Sequence, residues 1–203
     1  MSKPLIVGIN GSPHKGKSHT RKLLKLVTDE ANRRAVNTKI IDLAELKILP
    51  HTGKFNPNKY LDNQEDDMAE LTKNLLQADG LVFASPTHWF NMSSLMKIFI
   101  DRLTSLEDYG FLLEGKIGGF IAYGPQGGAF NNVSLMSTIA NQMGLIIPPY
   151  GMIFDEGRKD GWVIKDCKLL AKNMIELIKI GKNSKWGENT DNYKKSPIEM
   201  TKK

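Results

Sequence analysis

Five apolar runs, "PLIVGIN", "TKIIDL", "GLVFAS", "KIGGFIAY" and "GLIIPPYGMIF", alternate along the chain with stretches in which apolar residues recur every three or four positions. A short run rich in β-branched residues and closed by turn residues reads as a buried strand, and the periodic stretches read as amphipathic helices. Parallel strands need a crossover between them, so this alternation selects an α/β architecture. The helical stripes are Leu23, Leu24, Val27 and Ala31; Met68, Leu71 and Leu75; Met92, Leu95, Met96, Phe99, Leu103 and Leu106; Val133, Met136, Ala140 and Met143; and Leu170, Met174, Leu177 and Ile178. The third is the clearest and predicts one helix of about four turns. Right-handed crossovers then bury both faces of a doubly wound, five-stranded parallel sheet, for which the expected strand order is 2-1-3-4-5. Ligands in such sheets sit beyond the carboxyl ends of the strands, where successive connections leave to opposite faces. Chemistry is therefore expected in the loops after the first, third and fourth strands.

A chain of 203 residues suits one domain with a substantial core. Residues 1–182 are read as that domain and 183–203 as a polar tail, because apolar residues thin out and lose their period from Lys179 onward. The tail holds much of the Lys excess behind the net charge of +6, and no basic stripe interleaved with aromatics points to nucleic acid. No apolar run approaches the ~20 residues that cross a bilayer, and "MSKPLIVGIN" is too short and wrongly flanked for a secretory signal, so a cytoplasmic protein without a membrane partner is expected. Cys167 is alone, which leaves no internal disulfide and no cysteine-ligated cluster. The histidines at 14, 19, 51 and 88 lack helix-face ligand spacing, and no metal is expected. The longest irregular stretch, about 44–65, is long enough to be functional or mobile.

The first loop, "NGSPHKGKSHT", contains the phosphate-loop pattern G-x-x-x-x-G-K-[ST] from Gly11 to Ser18 and runs into the first helix. Glycines permit close backbone approach, and Ser12, Ser18 and Thr20 supply hydroxyls beside unpaired helix amides, so phosphate binding is expected. Ser18 or Thr20 would equally serve as a plain helix cap. Two grips fit the pattern: that of a nucleoside triphosphatase or kinase, with Lys17 on the β/γ-phosphates and Ser18 on magnesium, and that of a flavin mononucleotide phosphate. The first needs an acid at the end of an apolar strand to hold magnesium, and Asp42 and Asp101 are poor candidates. The second loop, "SPTHWFNMSS", sets Thr87, His88, Trp89 and Phe90 after a Pro-fixed turn, where a flat aromatic ligand would lie; the alternative is that Trp89 and Phe90 belong to the core. The third loop, "YGPQGGAFNN", again joins glycines to an aromatic residue at the carboxyl end of a strand.

"GSPHKGKSHT", the stretch "ADGLVFASPTHWFNMSSLMKIFIDR" and "YGPQGG" resemble the NAD(P)H-dependent FMN reductase family of flavodoxin-like proteins, especially its iron–sulfur flavoprotein branch, over roughly residues 5–180. The resemblance implies that Ser12, Ser18, His19 and Thr20 bind the FMN phosphate, that Pro86, Thr87, His88, Trp89 and Phe90 lie along the isoalloxazine, and that Tyr123, Gly124, Gln126, Gly127 and Gly128 hold its other side. It implies FMN as cofactor, NAD(P)H as co-substrate with Trp89 bordering the hydride site, and a small-molecule electron acceptor such as a quinone, nitro or azo compound, flavin or ferric complex. It also implies a homodimer or homotetramer with Ile98, Trp89 and Phe90 as apolar contact candidates. A flavin-binding electron carrier without NAD(P)H activity is a further reading. The chain departs from the family in having His19 where Asn is common and in lacking an Arg near His14. Where the iron–sulfur branch carries a compact Cys motif, this sequence reads "ILPHTGKFNPNKYLDNQEDDM", with no Cys.

Overall fold

The computed structural model describes residues 3–54, 65–157 and 161–181. The chain runs β1 (Leu5–Asn10), α1 (His19–Arg33), β2 (Asn37–Asp42), α2 (Met68–Gln77), β3 (Gly80–His88), β4 (Asn91–Met92), α3 (Ser94–Arg102), α4 (Thr104–Gly110), β5 (Ile117–Tyr123), α5 (Ala129–Gln142), β6 (Met152–Asp155) and α6 (Trp162–Gly181), with short 3-10 turns at Lys15–Lys17 and Leu43–Glu45. The proposed tail, residues 183–203, lies outside the described residues, as do residues 55–64 of the irregular stretch 44–65.

The α/β architecture and the parallel sheet are as expected, but the five-strand order 2-1-3-4-5 is corrected to a six-stranded sheet ordered β2-β1-β3-β5-β6, with β4 paired to β3 alone. The extra strand arises because the chain doubles back after β3: Thr87 faces Met92 and His88 faces Asn91 in an antiparallel hairpin. A two-residue strand carries too little pattern to be read from sequence. The same hairpin corrects the single four-turn helix. Met92 belongs to β4, α3 starts only after Ser93, whose hydroxyl accepts the Met96 amide at 3.2 Å, and α4 begins anew after Leu103. Met92, Met96, Phe99, Leu103 and Leu106 are all buried in one cluster, so the stripe marks the core although one helix does not carry it.

Successive residues of a strand point to opposite faces, and the sheet divides its apolar residues accordingly. Val7, Ile9, Leu81 and Phe83 pack with α2, α3 and α5, whereas Ile6, Val82, Ala84 and Ile121 pack with α1 and α6. Helices on both faces leave the carboxyl ends of β1, β3, β5 and β6 open along one rim. Among the described residues no helix is long and apolar enough to cross a membrane.

Candidate functional site

At the rim, Gly11 holds its loop against β3 through its amide to the Ala84 carbonyl at 2.8 Å. A Cβ on Gly11 would stand 2.9 Å from the Met96 Cβ, so only glycine lets the backbone lie this close to α3. Ser12 is 1% exposed; its amide donates to Asn10 Oδ1 and its hydroxyl accepts the His14 amide, each at 3.3 Å, which leaves the hydroxyl proton to donate. Residues 13–17 are exposed, with Lys17 in the 3-10 turn ahead of the helix. Ser18 is the N-cap of α1 and accepts the Arg21 amide at 2.9 Å, so the plain capping role expected as an alternative is real. The amides of His19 and Thr20 have no helical acceptor before them. Thr20 is 1% exposed, and no acid stands in the first turn of α1. Buried hydroxyls, unpaired amides and no competing carboxylate in that turn make a donor set suited to a phosphate monoester.

His19 takes a further partner. Its Nε2 lies 2.8 Å from Asp155 Oδ2 at the end of β6, and its ring lies on Tyr123 with centroids 4.1 Å apart. Asp155 is 5% exposed and accepts the Gly157 amide at 2.8 Å. Sequence reading passed over Asp155, although an acid followed within two residues by glycine at a strand's end, "IFDEG", was a usable signal.

The β3–β4 hairpin is closed by Trp89 and Phe90, both left-handed, with φ of 52° and 62°. A two-residue turn with φ positive at both positions ordinarily takes Asn-Gly, and a bulky pair there stores strain. Trp89 is 95% exposed and Phe90 62%, so neither belongs to the core. Phe90 rests on Gly128, where an added Cβ would lie 2.9 Å from the Phe90 Cα and where φ is already +79°. Thus the second and third loops touch through a glycine. Pro86 and Thr87 are half-buried and His88 is exposed, while across the rim Tyr123, Gly127 and Gly128 are half-buried, Gly124 is buried and Gln126 is exposed.

Three residues that sequence reading missed join these loops. The Ser93 hydroxyl donates to the Gly11 carbonyl at 2.6 Å, linking the second loop to the first. The Ser85 hydroxyl accepts the Ser93 amide and donates to the Pro86 carbonyl, each at 2.9 Å. Asn132, fully buried on α5, donates to the Pro86 carbonyl at 3.2 Å and to the Thr87 hydroxyl at 3.1 Å, linking the second loop to the helix that follows the third. Nothing in the residue types of "SS" or "NN" announces such links, which depend on tertiary placement.

Asp42, the acid a magnesium site would need, is held by Asn10 Nδ2 at 2.6 Å and by Arg21 Nε at 2.8 Å, and is 8% exposed. Asp101 pairs with Lys97 on the surface of α3. No cluster of three or more metal-ligating side chains occurs among the described residues. Cys167 is buried on α6, and burial pushes its thiol up to about 12, which keeps it an unreactive thiol. A cavity of about 550 Å³ lies beside β2, lined by Arg21, Lys39, Asp42, Glu45, Asp67 and Glu70 among others.

Comparison with known proteins follows the same lines. The family described as NADPH-dependent FMN reductase matches residues 4–159. An iron–sulfur flavoprotein of Methanocaldococcus jannaschii is 31% identical over 121 residues, which cover 59% of this chain and 61% of that protein. An iron–sulfur flavoprotein of Archaeoglobus fulgidus is 24% identical over 197 residues, covering 88% of this chain and 97% of that protein. The chain thus spans only about three fifths of the first relative's length. Among solved structures, RosB with its bound intermediate 8-demethyl-8-formylriboflavin-5'-phosphate superposes with a TM-score of 0.80 at 17% identity, covering 93% of this chain and 83% of that one, which is a likeness of fold.

Proposed function

Because the chain belongs to the NADPH-dependent FMN reductase family, we propose that it is an FMN-dependent oxidoreductase that oxidises NAD(P)H and passes the electrons to a small-molecule acceptor. The observation that supports this most is the head of α1: buried Ser12 and Thr20 hydroxyls and unpaired amides, with no acid in the first turn. Bound there, FMN would supply hydride acceptance and onward electron transfer. The chain's own part is binding, orientation and shielding. Ser12, Thr20 and the α1 amides hold the phosphate, with Ser18 fixing the helix start. The run Pro86–Phe90 borders one side of the ring, and Tyr123–Gly128 the other, with Gly128 letting Phe90 close against the third loop. Amides of Thr87 and His88 at the ring edge would stabilise the negative charge that develops on reduction. Trp89, left exposed by its turn, borders the face where nicotinamide would lie. Homodimeric or homotetrameric assembly in the cytoplasm completes the reading, with Trp89 and Phe90 as contacts; Ile98 is half-buried.

The triphosphatase reading has a specific observation against it. Asp42 is already bonded to Arg21 and Asn10, and the Ser18 hydroxyl serves the Arg21 amide. Titration with FMN, followed by flavin fluorescence quenching, tests the proposal: saturable binding together with steady NAD(P)H oxidation is the expected result. Binding without oxidation would make the protein an electron carrier. Affinity for ATP and magnesium, with none for FMN, would overturn the flavin reading.

A further inference from the structure

We propose that FMN binding by this chain is coupled to proton uptake at His19, which then bridges the bound phosphate and the buried carboxylate of Asp155. The inference rests on the reading of the α1 head as the FMN phosphate site. His19 is the first residue of α1, yet its ring reaches the end of β6: Nε2 is 2.8 Å from Asp155 Oδ2, with His19 43% and Asp155 5% exposed. Tyr123 of β5 packs against the ring on one side, with centroids 4.1 Å apart.

The charges around it define the problem. From β6 and the loop after it come Asp155 and Glu156, and from α6 Asp166, which lines a small cavity of about 110 Å³ with both. Glu156 is turned to the Ala129 amide at the head of α5, 3.2 Å away. From the turn before α1 come His14, Lys15 and Lys17, all exposed, and from α1 itself Arg21, which is committed to Asp42. A phosphate dianion arriving at the head of α1 therefore adds negative charge near a buried carboxylate whose bonded partner is His19. Like charges in one site favour taking up a proton.

Histidine is the side chain that changes charge nearest neutral pH, and its two nitrogens allow a bridge. A neutral ring that donates Nε2–H to Asp155 presents a lone pair at Nδ1, which repels a phosphate oxygen; a protonated ring donates on both sides. Without phosphate the charged ring is opposed by the positive end of the α1 dipole, and with phosphate that opposition is offset. The proton from solvent ends on the imidazole, and no covalent bond forms or breaks.

The test is calorimetric titration of the flavin-free protein with FMN at pH 7.5 in two buffers of different ionisation enthalpy, which reports protons taken up per FMN bound. Free FMN phosphate itself titrates near pH 6, so the decisive quantity is wild type relative to His19→Asn. Wild type is expected to take up more protons than His19→Asn and Asp155→Asn, and riboflavin, which lacks the phosphate, to show no such difference. The FMN dissociation constant of wild type, divided by that of His19→Asn, should rise about tenfold between pH 6 and pH 8. Equal proton uptake by wild type and His19→Asn, with FMN binding intact in both, overturns the coupling and leaves the flavin reading standing. Failure of wild type to bind FMN at all overturns both. Should Asp155→Asn fold poorly, the half-exposed His19→Asn still decides the matter.

Discussion

Two irregular regions of the molecule are held in place by opposite means. The rim loops at 10–18, 85–93 and 123–132 are joined by short side chains and backbone: Ser93 to Gly11, Ser85 to Ser93 and Pro86, Asn132 to Pro86 and Thr87. Between β2 and α2, the described residues 43–54 and 65–67 are tied to each other by two bonds between Lys47 and Asp67 and to α3 by a buried ion pair. The Arg102 guanidinium, at the end of α3, meets the Asp66 carboxylate, both 1% exposed, and also donates to the Leu49 carbonyl at 2.7 Å; Asp66 in turn accepts the Leu49 amide at 2.9 Å. Many modest bonds position a ligand site finely and tolerate the loss of one. A single buried pair fastens a segment firmly and fails all at once, because removing one partner strands a charge.

That contrast predicts its largest effect at Arg102. Arg102→Met should cost about 3–5 kcal/mol in urea unfolding, the usual outcome of leaving one member of a buried pair behind. Asp66→Leu combined with Arg102→Met should recover much of it, since no charge is then buried. The pair also sets an acid dependence. Burial works to raise the Asp66 pKa, but the hydrogen bonds from Arg102 and from the Leu49 and Met68 amides outweigh it, and the carboxyl ends below its ordinary value. A depressed folded-state pKa contributes stability above the unfolded value of about 3.9, lost as pH falls through the folded value. The stability lead of wild type over Asp66→Asn should therefore hold from neutral pH down to about 4 and shrink below it. A lead independent of pH would break the assignment.

On the rim the loss should be smaller and local. Ser93→Ala removes the donor to the Gly11 carbonyl and the acceptor of the Met96 amide, so a cost of about 1–3 kcal/mol is expected in unfolding. FMN affinity should fall with it, because Gly11 is no longer fixed against α3. If affinity stays at the wild-type level, the three loops do not act as one unit.

How much of this was legible beforehand follows from where each constraint resides. The alternation of apolar runs and amphipathic stretches is a property of consecutive residues, so the α/β sheet and the rim where its loops gather could be read directly. Trp89 and Phe90 stand out in the sequence because two large aromatics after a proline at a strand's end are locally odd, and the structure leaves both exposed. The hairpin that exposes them does not stand out, since Asn91–Met92 is too short to show a period and Trp-Phe is a poor sequence for a left-handed turn. The Arg102–Asp66 and His19–Asp155 pairs span 36 and 136 residues, and no local pattern encodes contacts of that separation.

The strained hairpin offers a sharper test of the rim. Replacing Trp89 and Phe90 with Asn and Gly matches the residues to the left-handed φ values and should stabilise the fold by about 1 kcal/mol. NAD(P)H oxidation should nevertheless slow, and more than FMN binding weakens, since the phosphate contacts are untouched. A faster enzyme would show that the aromatic pair serves the fold rather than the reaction.

The smallest expected effect lies at Lys17, and it separates the two grips that "GSPHKGKS" allows. In a triphosphatase the lysine is an essential point charge on the β- and γ-phosphates, and its loss abolishes turnover. Here Lys17 is exposed in the 3-10 turn, whereas Ser12 and Thr20 are each 1% exposed at the start of α1. Exposed charges near an anion contribute about 1 kcal/mol or less, and hydrogen bonds to a charged phosphate oxygen about 1.5–3 kcal/mol. Lys17→Ala should accordingly weaken FMN binding less than tenfold, tenfold being about 1.4 kcal/mol, while Ser12→Ala and Thr20→Ala each weaken it more. The three dissociation constants, measured by flavin fluorescence quenching at one ionic strength, rank the contacts directly. Raising the salt should narrow the gap between wild type and Lys17→Ala but leave the two hydroxyl variants as far from wild type as before, because screening acts on the exposed charge and hardly reaches the buried donors. The reverse ranking, with Lys17 dominant and the hydroxyls dispensable, would mean that the phosphate is gripped from outside the helix.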